Sequence, residues 1–229
     1  MRNLYLLVIE YLKSSSDEKY KLFNEKIVNS TREVLGVTTP KMREIAKKIA
    51  ANNCQEYLDQ CKFNYFEDTM IFGFVIASLP YDIFLNYLPV YLENVDSWAH
   101  IDSFVCSIKS VETNYFDFYK MINDNVKNSQ GFSMRFYIVM LMNYYLKEEY
   151  LDSILKICED CDGNGYYNDM AISWLISVAY VKFRDKTLEF IKNCKLSSFT
   201  LNKSISKIKD SFRVSHEDKV LLQNYRRKK

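Results

Sequence analysis

Glycine and proline are scarce in this sequence, with 5 and 3 copies among 229 residues. Sheet proteins use many turns rich in these two residues, so their scarcity favours helices joined by short connections. The formal net charge is only +2. That value does not by itself indicate a nucleic-acid binder, although a small total can conceal one basic face.

Long uncharged hydrophobic runs are also missing, so the sequence predicts no membrane-spanning helix. The apolar stretch at the N-terminus is interrupted by Glu10 and Lys13 and is followed by no small-residue cleavage site, which favours an amphipathic first helix over a signal peptide. The six cysteines are scattered, as is typical of free thiols in a reducing compartment. We therefore expect a soluble, cytoplasmic protein, associated with the nucleoid if it acts on DNA.

Apolar residues recur at helical spacing along the whole chain. The first helix has a stripe of Leu4, Leu7, Val8, Tyr11 and Leu12, and the second, over 17–28, has Tyr20, Phe23 and Ile27. Thr39 is the expected cap and Pro40 the expected first residue of a third helix, which ends near residue 50 and has Met42, Ile45, Ala46 and Ile49 inside. Further helices are predicted near 53–61, 66–78, 81–93, 97–108, 114–127, 131–146, 148–159, 167–182, 185–194, 199–211 and 216–226.

Thirteen or fourteen short helices in one domain, 1–229, favour an all-α superhelix of about six HEAT-like repeats with a concave groove. Trp98 and Arg135 are 37 residues apart, and Arg135 and Trp174 are 39 apart. Both spacings fit the roughly 40-residue period of such repeats. A helical bundle without repeats stays open as the alternative.

Trp98 and Asp102 are four residues apart, so a helix places them on one face, one turn from each other. A carboxylate beside a large aromatic ring must be paired, hydrogen-bonded or facing an opening. Arg135 lies among apolar neighbours at helical spacing and therefore either extends to solvent or meets an anion. Two indoles, a carboxylate and a guanidinium are thus expected to line one groove.

The sequence resembles the AlkD-type DNA alkylation-repair glycosylases, a family of HEAT-like repeat proteins. The resemblance depends on an ordered set of segments: Gly36-Val37-Thr38-Thr39-Pro40-Lys41-Met42-Arg43-Glu44-Ile45-Ala46-Lys47, Asp96-Ser97-Trp98 through Asp102-Ser103, Met134-Arg135, Ala171-Ile172-Ser173-Trp174, and Lys207-Ile208-Lys209-Asp210-Ser211-Phe212-Arg213-Val214-Ser215.

The resemblance implies excision of a cationic alkylated purine, such as N3-methyladenine or N7-methylguanine, from double-stranded DNA by a monomer that uses no metal or redox cofactor. It places the family's catalytic aspartate on Asp102, its arginine on Arg135, and its two tryptophans on Trp98 and Trp174. A basic concave face would come from Arg43, Lys47, Lys109, Lys182, Lys203, Lys207 and Arg213.

Two other functions remain possible: a repeat scaffold that binds damaged or branched DNA without catalysis, and a HEAT array that grips a partner helix. Individually, Trp174 could be an ordinary core residue and Asp102 a hydrogen-bond partner between helices.

Cys158 and Cys161 form a CxxC pair without nearby histidines, which favours a structural role over a zinc site. Residues 160–165 lack the pattern of a calcium loop and are predicted to connect two helices, and the basic tail 225–229 is expected to be solvated.

Overall fold

The computed structural model describes residues 3–228, and within them the chain forms fourteen α-helices. The prediction of an all-α fold is confirmed: in the described residues the only extended pairing is one isolated parallel bridge between Glu33 and Tyr65. No helix of that part of the chain is long and apolar enough to cross a membrane. The helices are α1 (Leu4–Ser14), α2 (Glu18–Val28), α3 (Thr39–Asn52), α4 (Cys54–Gln60), α5 (Phe66–Ile76), α6 (Tyr81–Glu93), α7 (Trp98–Val105), α8 (Tyr115–Asn125), α9 (Gly131–Met140), α10 (Glu148–Asp160), α11 (Tyr166–Lys182), α12 (Arg184–Asn193), α13 (Ser198–Asp210) and α14 (His216–Gln223).

The start of α3 and the end of α9 differ from the sequence prediction in ways that affect local geometry. The N-cap of α3 is Thr38, and Thr39 is already its first residue, so Pro40 occupies the second position. The prediction was one residue late, which has little structural cost because proline's missing N–H is not needed anywhere in the first turn. The helix predicted over 131–146 ends as an α-helix at Met140 and continues as one π-helical turn over Leu141–Tyr145.

The chain divides into two compact units, the first ending at Tyr115 and the second beginning at Phe116. In the first unit α5 packs against α3, α6 and α7, and all eleven residues of α5 are buried. Helix α3 buries Met42, Ile45, Ala46 and Ile49, which confirms the predicted inner face. α5 is therefore the central helix against which the functional segments of this unit are positioned.

An acidic residue of α5 organises the loop that precedes α3. Glu67 is completely buried, and its carboxylate accepts hydrogen bonds from the backbone N–H groups of Leu35 (2.9 Å), Gly36 (2.8 Å) and Val37 (3.2 Å). Burial raises the pKa of Glu67 although these N–H groups act in the opposite direction. Because residues 35–37 lead directly into α3, Glu67 fixes where that helix starts.

The buried faces of α1 and α2 differ from the predicted stripes. Val8 and Leu12 are buried as expected, but Tyr5 and Ile9 complete the inner face of α1. The residues that the prediction placed inside and the structure leaves exposed are Leu7, Tyr11, Phe23 and Ile27. A long-range contact selects the face of α1: the Tyr5 hydroxyl donates to the buried carboxylate of Asp68 at 2.8 Å.

In the second unit the long helix α11 packs against α9 on one side and α13 on the other, and it also contacts α10 and α12. The odd-numbered helices α9, α11 and α13 therefore lie side by side, which is the arrangement that stacked helix pairs would produce. The superhelical repeat and the single-domain organisation over the whole chain stay predictions. The row α9–α11–α13 positions Arg135, Trp174 and two candidate lysines.

Candidate functional site

The start of α7 carries the first candidate residues. Ser97 is the N-cap: its Oγ accepts a hydrogen bond from the N–H of Ala99 and donates to the carbonyl of Val28 at 2.5 Å. Trp98 is the first residue of the helix and is half-buried, with its indole Nε1 donating to the carbonyl of Ile27 at 3.0 Å. The capped helix start therefore fixes the indole against the C-terminal end of α2.

Asp102 lies one helical turn after Trp98 and is also half-buried, so the structure confirms that both residues are on one short helix. The pKa of Tyr91 is raised well above its usual value, mainly by burial and to a smaller extent by the negative charge of Asp102. The pKa of the Cys106 thiol is likewise raised, first by burial and then by Asp102, while Arg43 lowers it. Asp102 therefore acts electrostatically on Tyr91 of α6 and on Cys106, the residue that follows α7.

Arg43, a candidate DNA contact, is positioned from α3 against α7. Its guanidinium donates to Ser107 Oγ (2.5 Å) and to the carbonyl of Ser103 (3.3 Å), and it stacks over the Phe74 ring at 4.2 Å from the centroid. Burial lowers the pKa of Arg43, as expected for a cation partly removed from water. The first unit thus brings together an indole, a carboxylate and a guanidinium around one helix. These are the residue types that the sequence suggested, but the guanidinium belongs to Arg43, whereas the sequence suggested Arg135.

Arg135 and Trp174 lie on the adjacent helices α9 and α11 of the second unit. Arg135 is only 6% exposed, and its Nη1 donates to the carbonyl of Tyr167 at 2.6 Å. That bond directs the guanidinium toward the start of α11, a contact that local spacing does not reveal. Trp174 is half-buried on a helix whose neighbouring residues are mostly fully buried, so it is not a completely enclosed core residue.

The remaining basic candidates differ in exposure. Lys203 and Lys207 are half-buried and lie one turn apart on α13, with the Lys203 ammonium 5.7 Å from the centroid of the Phe199 ring. The exposed candidates are Lys47 on α3, Lys109 after α7, Lys182 at the end of α11, and Arg213 between α13 and α14. The first unit therefore contributes cations from α3 and from the segment after α7, and the second from α11, α13 and the segment after α13. Their combination into one basic groove stays a prediction.

The segment 158–165 serves the packing of helices. Cys158 and Cys161 are buried free thiols, and burial raises the pKa of both, that of Cys161 to about 11. Asp162 accepts hydrogen bonds from the N–H of Ser197, the N-cap residue of α13, and from the hydroxyl of Thr200 in the first turn of that helix. The described residues contain no group of three or more His, Cys, Asp or Glu side chains arranged to hold a metal ion.

Sequence reasoning missed the residues that hold the start of α7 in place. Asp96 appeared only as part of a quoted segment, and Arg32 and His100 were assigned no role. His100 is completely buried, and its Nε2 lies 3.0 Å from the carbonyl of Phe66. The available signal was local: a carboxylate two residues before Trp98 and an imidazole two residues after it.

Residues 8–208 match the family of DNA alkylation repair enzymes. The match covers most of the chain, so the chain belongs to this family, and the resemblance drawn from the sequence is confirmed. No curated protein matches the chain. Membership implies that the protein is an enzyme of alkylation repair with DNA as its substrate.

Proposed function

We propose that this protein is a monofunctional DNA glycosylase that removes cationic N3- or N7-alkylated purines by hydrolysis of the N-glycosidic bond. The observation that supports this most strongly is the pairing of Trp98 and Asp102, both half-buried and one turn apart on α7, in a member of the alkylation repair family. An aromatic face beside a carboxylate suits a substrate whose base is cationic before the bond breaks and whose sugar becomes cationic as the base departs.

The reaction needs little acid catalysis, because alkylation at N3 or N7 already gives the base a positive charge. When the C1′–N9 bond breaks, its electron pair passes to the purine, which leaves as a neutral molecule. Positive charge then develops on the deoxyribose, water adds to C1′, and the proton of that water is lost to solvent, leaving an abasic site. The Asp102 carboxylate would stabilise the cationic sugar and orient the attacking water.

The aromatic and basic residues would supply recognition. Indole faces attract cations by about 0.5–2 kcal/mol each, depending on desolvation, so Trp98 and Trp174 would favour an alkylated base over a neutral one. Arg135 would contact a phosphate flanking the lesion, since a guanidinium matches the phosphate geometry and its direction is already set by the Tyr167 carbonyl. Non-specific affinity would come from Arg43 and the six lysine and arginine candidates named with it.

We expect a monomer that needs neither metal nor redox cofactor and that works on chromosomal DNA in the cytoplasm. The six free cysteines of the chain would stay reduced in that compartment. The concave groove of a HEAT-like superhelix is the expected form of the DNA-binding surface.

The direct test is single-turnover release of N7-methylguanine from a duplex oligonucleotide. We expect Asp102→Asn to reduce the rate by about 10²–10³-fold, the usual effect of removing one well-placed electrostatic stabiliser. Asp82→Asn, an exposed aspartate in the first turn of α6, is the matched control and should keep the parental rate.

Equal rates for the parent and a folded Asp102→Asn protein would refute the assignment of Asp102. A folded parent that binds the duplex in a salt-dependent manner but releases no base would instead support the DNA-binding scaffold. A parent without salt-dependent affinity for DNA would support a protein-binding array.

A further inference from the structure

The carboxylate of Asp96 joins two segments that are far apart in sequence. It precedes α7 by two residues and accepts hydrogen bonds from the Ser30 hydroxyl (2.9 Å to Oδ2), the Thr31 N–H (2.8 Å) and the Thr31 hydroxyl (2.7 Å). All three donors belong to the connection between α2 and α3. One half-buried side chain thus binds this connection to the start of the helix that carries Trp98.

Two further groups face the same carboxylate. Arg32 Nη1 lies 3.0 Å from Asp96 Oδ1, while Arg32 Nε donates to the Phe63 carbonyl at 2.6 Å. His100 Nδ1 lies 3.4 Å from the same oxygen. Burial raises the pKa of Asp96, but the two hydroxyl donors and the neighbouring His100 and Arg32 outweigh it, so the pKa is lowered and the charged form is favoured.

Two independent contacts join the same segments immediately beside the candidate site. The Ser97 hydroxyl donates to the carbonyl of Val28, and the indole of Trp98 donates to the carbonyl of Ile27. These carbonyls end α2, where Asn29 takes a left-handed conformation (φ 48°). The position of the indole therefore depends on where the end of α2 lies relative to the start of α7. The hydrogen bonds of Asp96 to Ser30 and Thr31 hold these two helix ends together.

We propose that Asp96 is a positioning residue for the candidate site: by holding Ser30 and Thr31 against the start of α7, it fixes the Trp98 indole and the direction in which Asp102 points. Asp96 itself touches no substrate. The catalytic consequence rests on the proposed glycosylase function, whereas the structural consequence for Trp98 does not.

Asparagine at this position keeps the size of the side chain but lacks the negative charge and one of the two acceptor oxygens. It cannot satisfy two hydroxyls, one backbone N–H and a guanidinium together. The connection 29–32 should then separate from α7, and the indole should lose its fixed carbonyl partner and gain contact with water.

The test uses the full-length chain and the variants Asp96→Asn, Asp96→Glu and Asp162→Asn. Trp98 fluorescence is recorded in a Trp174→Phe background, where Trp98 is the single indole. Release of N7-methylguanine, affinity for undamaged duplex and thermal unfolding are measured with both tryptophans present. Asp162 is the matched control, because it also accepts from a backbone N–H and a threonine hydroxyl, in the second unit.

For Asp96→Asn we expect Trp98 emission at longer wavelength with stronger acrylamide quenching, and release slower by about 10- to 100-fold with DNA affinity nearly unchanged, since a misplacement of about 1 Å can cost that much. Asp96→Glu, which keeps the charge, should recover part of the rate. Asp162→Asn should lower the unfolding temperature while leaving Trp98 emission and the release rate near parental values.

Unchanged Trp98 emission in a folded Asp96→Asn protein would overturn the proposal. A rate loss that merely follows the unfolded fraction, with equal effects of Asp96→Asn and Asp162→Asn, would overturn it as well. If the parent itself releases no base, the proposed function fails, and the emission of Trp98 alone then decides whether Asp96 positions that residue.

Discussion

His100 should make the protein lose stability as the solution becomes mildly acidic. The imidazole is completely buried, stacks on the Phe66 ring at 4.5 Å between centroids, and has its Nε2 3.0 Å from the carbonyl of Phe66. Nε2 must carry the proton, because a carbonyl can only accept. Nδ1 is then unprotonated in the neutral ring and has no hydrogen-bond partner among the described residues.

Burial lowers the pKa of His100 from 6.5 to about 4, even though the nearby Asp96 carboxylate and the Phe66 carbonyl act in the opposite direction. Between these two values the unfolded chain binds the proton and the folded chain does not. The free energy of unfolding must therefore fall as the pH decreases through this window, by about 1.4 kcal/mol per pH unit. From pH 7 to pH 5 the loss from this one group is about 2 kcal/mol.

The assay is urea unfolding followed by far-UV circular dichroism at pH 7, 6 and 5, for the parent and for His100→Gln. Glutamine keeps an N–H donor for the Phe66 carbonyl but does not titrate. Aspartates and glutamates shared by both proteins contribute equally, so the difference between the two pH dependences isolates His100. If the two proteins lose stability in parallel between pH 7 and pH 5, the imidazole is accessible to protons in the fold and the reasoning is wrong.

Three further predictions concern the loop before α3 and the α13 surface. Gly36→Ala should cost about 2–3 kcal/mol in urea unfolding, since φ is +88° and a Cβ would lie 2.6 Å from the Asp17 carbonyl; a loss below about 0.5 kcal/mol would contradict this. Glu67→Gln should cost about 2–4 kcal/mol in the same assay, because an amide N–H would face backbone N–H donors; unchanged stability would show that these bonds are dispensable. Replacing Lys203 and Lys207 together by alanine should reduce the slope of log affinity against log salt by about 1–2, and an unchanged slope would remove α13 from the DNA contacts.

Local sequence pattern was sufficient for the helices and for part of the site. Scarce glycine and proline and apolar spacing predicted the all-α fold, and the inner face of α3 was correct in detail. Trp98 and Asp102 could be placed on one helix face because their relation depends only on a spacing of four residues. The family, too, could be inferred from the order of short segments along the chain.

Contacts between distant segments decided the rest. Tyr5, rather than Leu7, lies inside because its hydroxyl meets Asp68, 63 residues later. Arg135 is buried against the carbonyl of Tyr167, 32 residues away, although helical spacing alone left it free to reach solvent.

The position of Trp98 likewise depends partly on local sequence and partly on distant contacts. Its helix and its neighbour Asp102 follow from local spacing, but its orientation depends on the end of α2 and on Asp96, whose partners Ser30 and Thr31 lie 66 and 65 residues away. Helical periodicity reports which residues share a face, since that depends on backbone geometry within a few turns. It does not report which distant polar group that face will meet, because that choice is made only when buried donors and acceptors must be satisfied together in the packed chain.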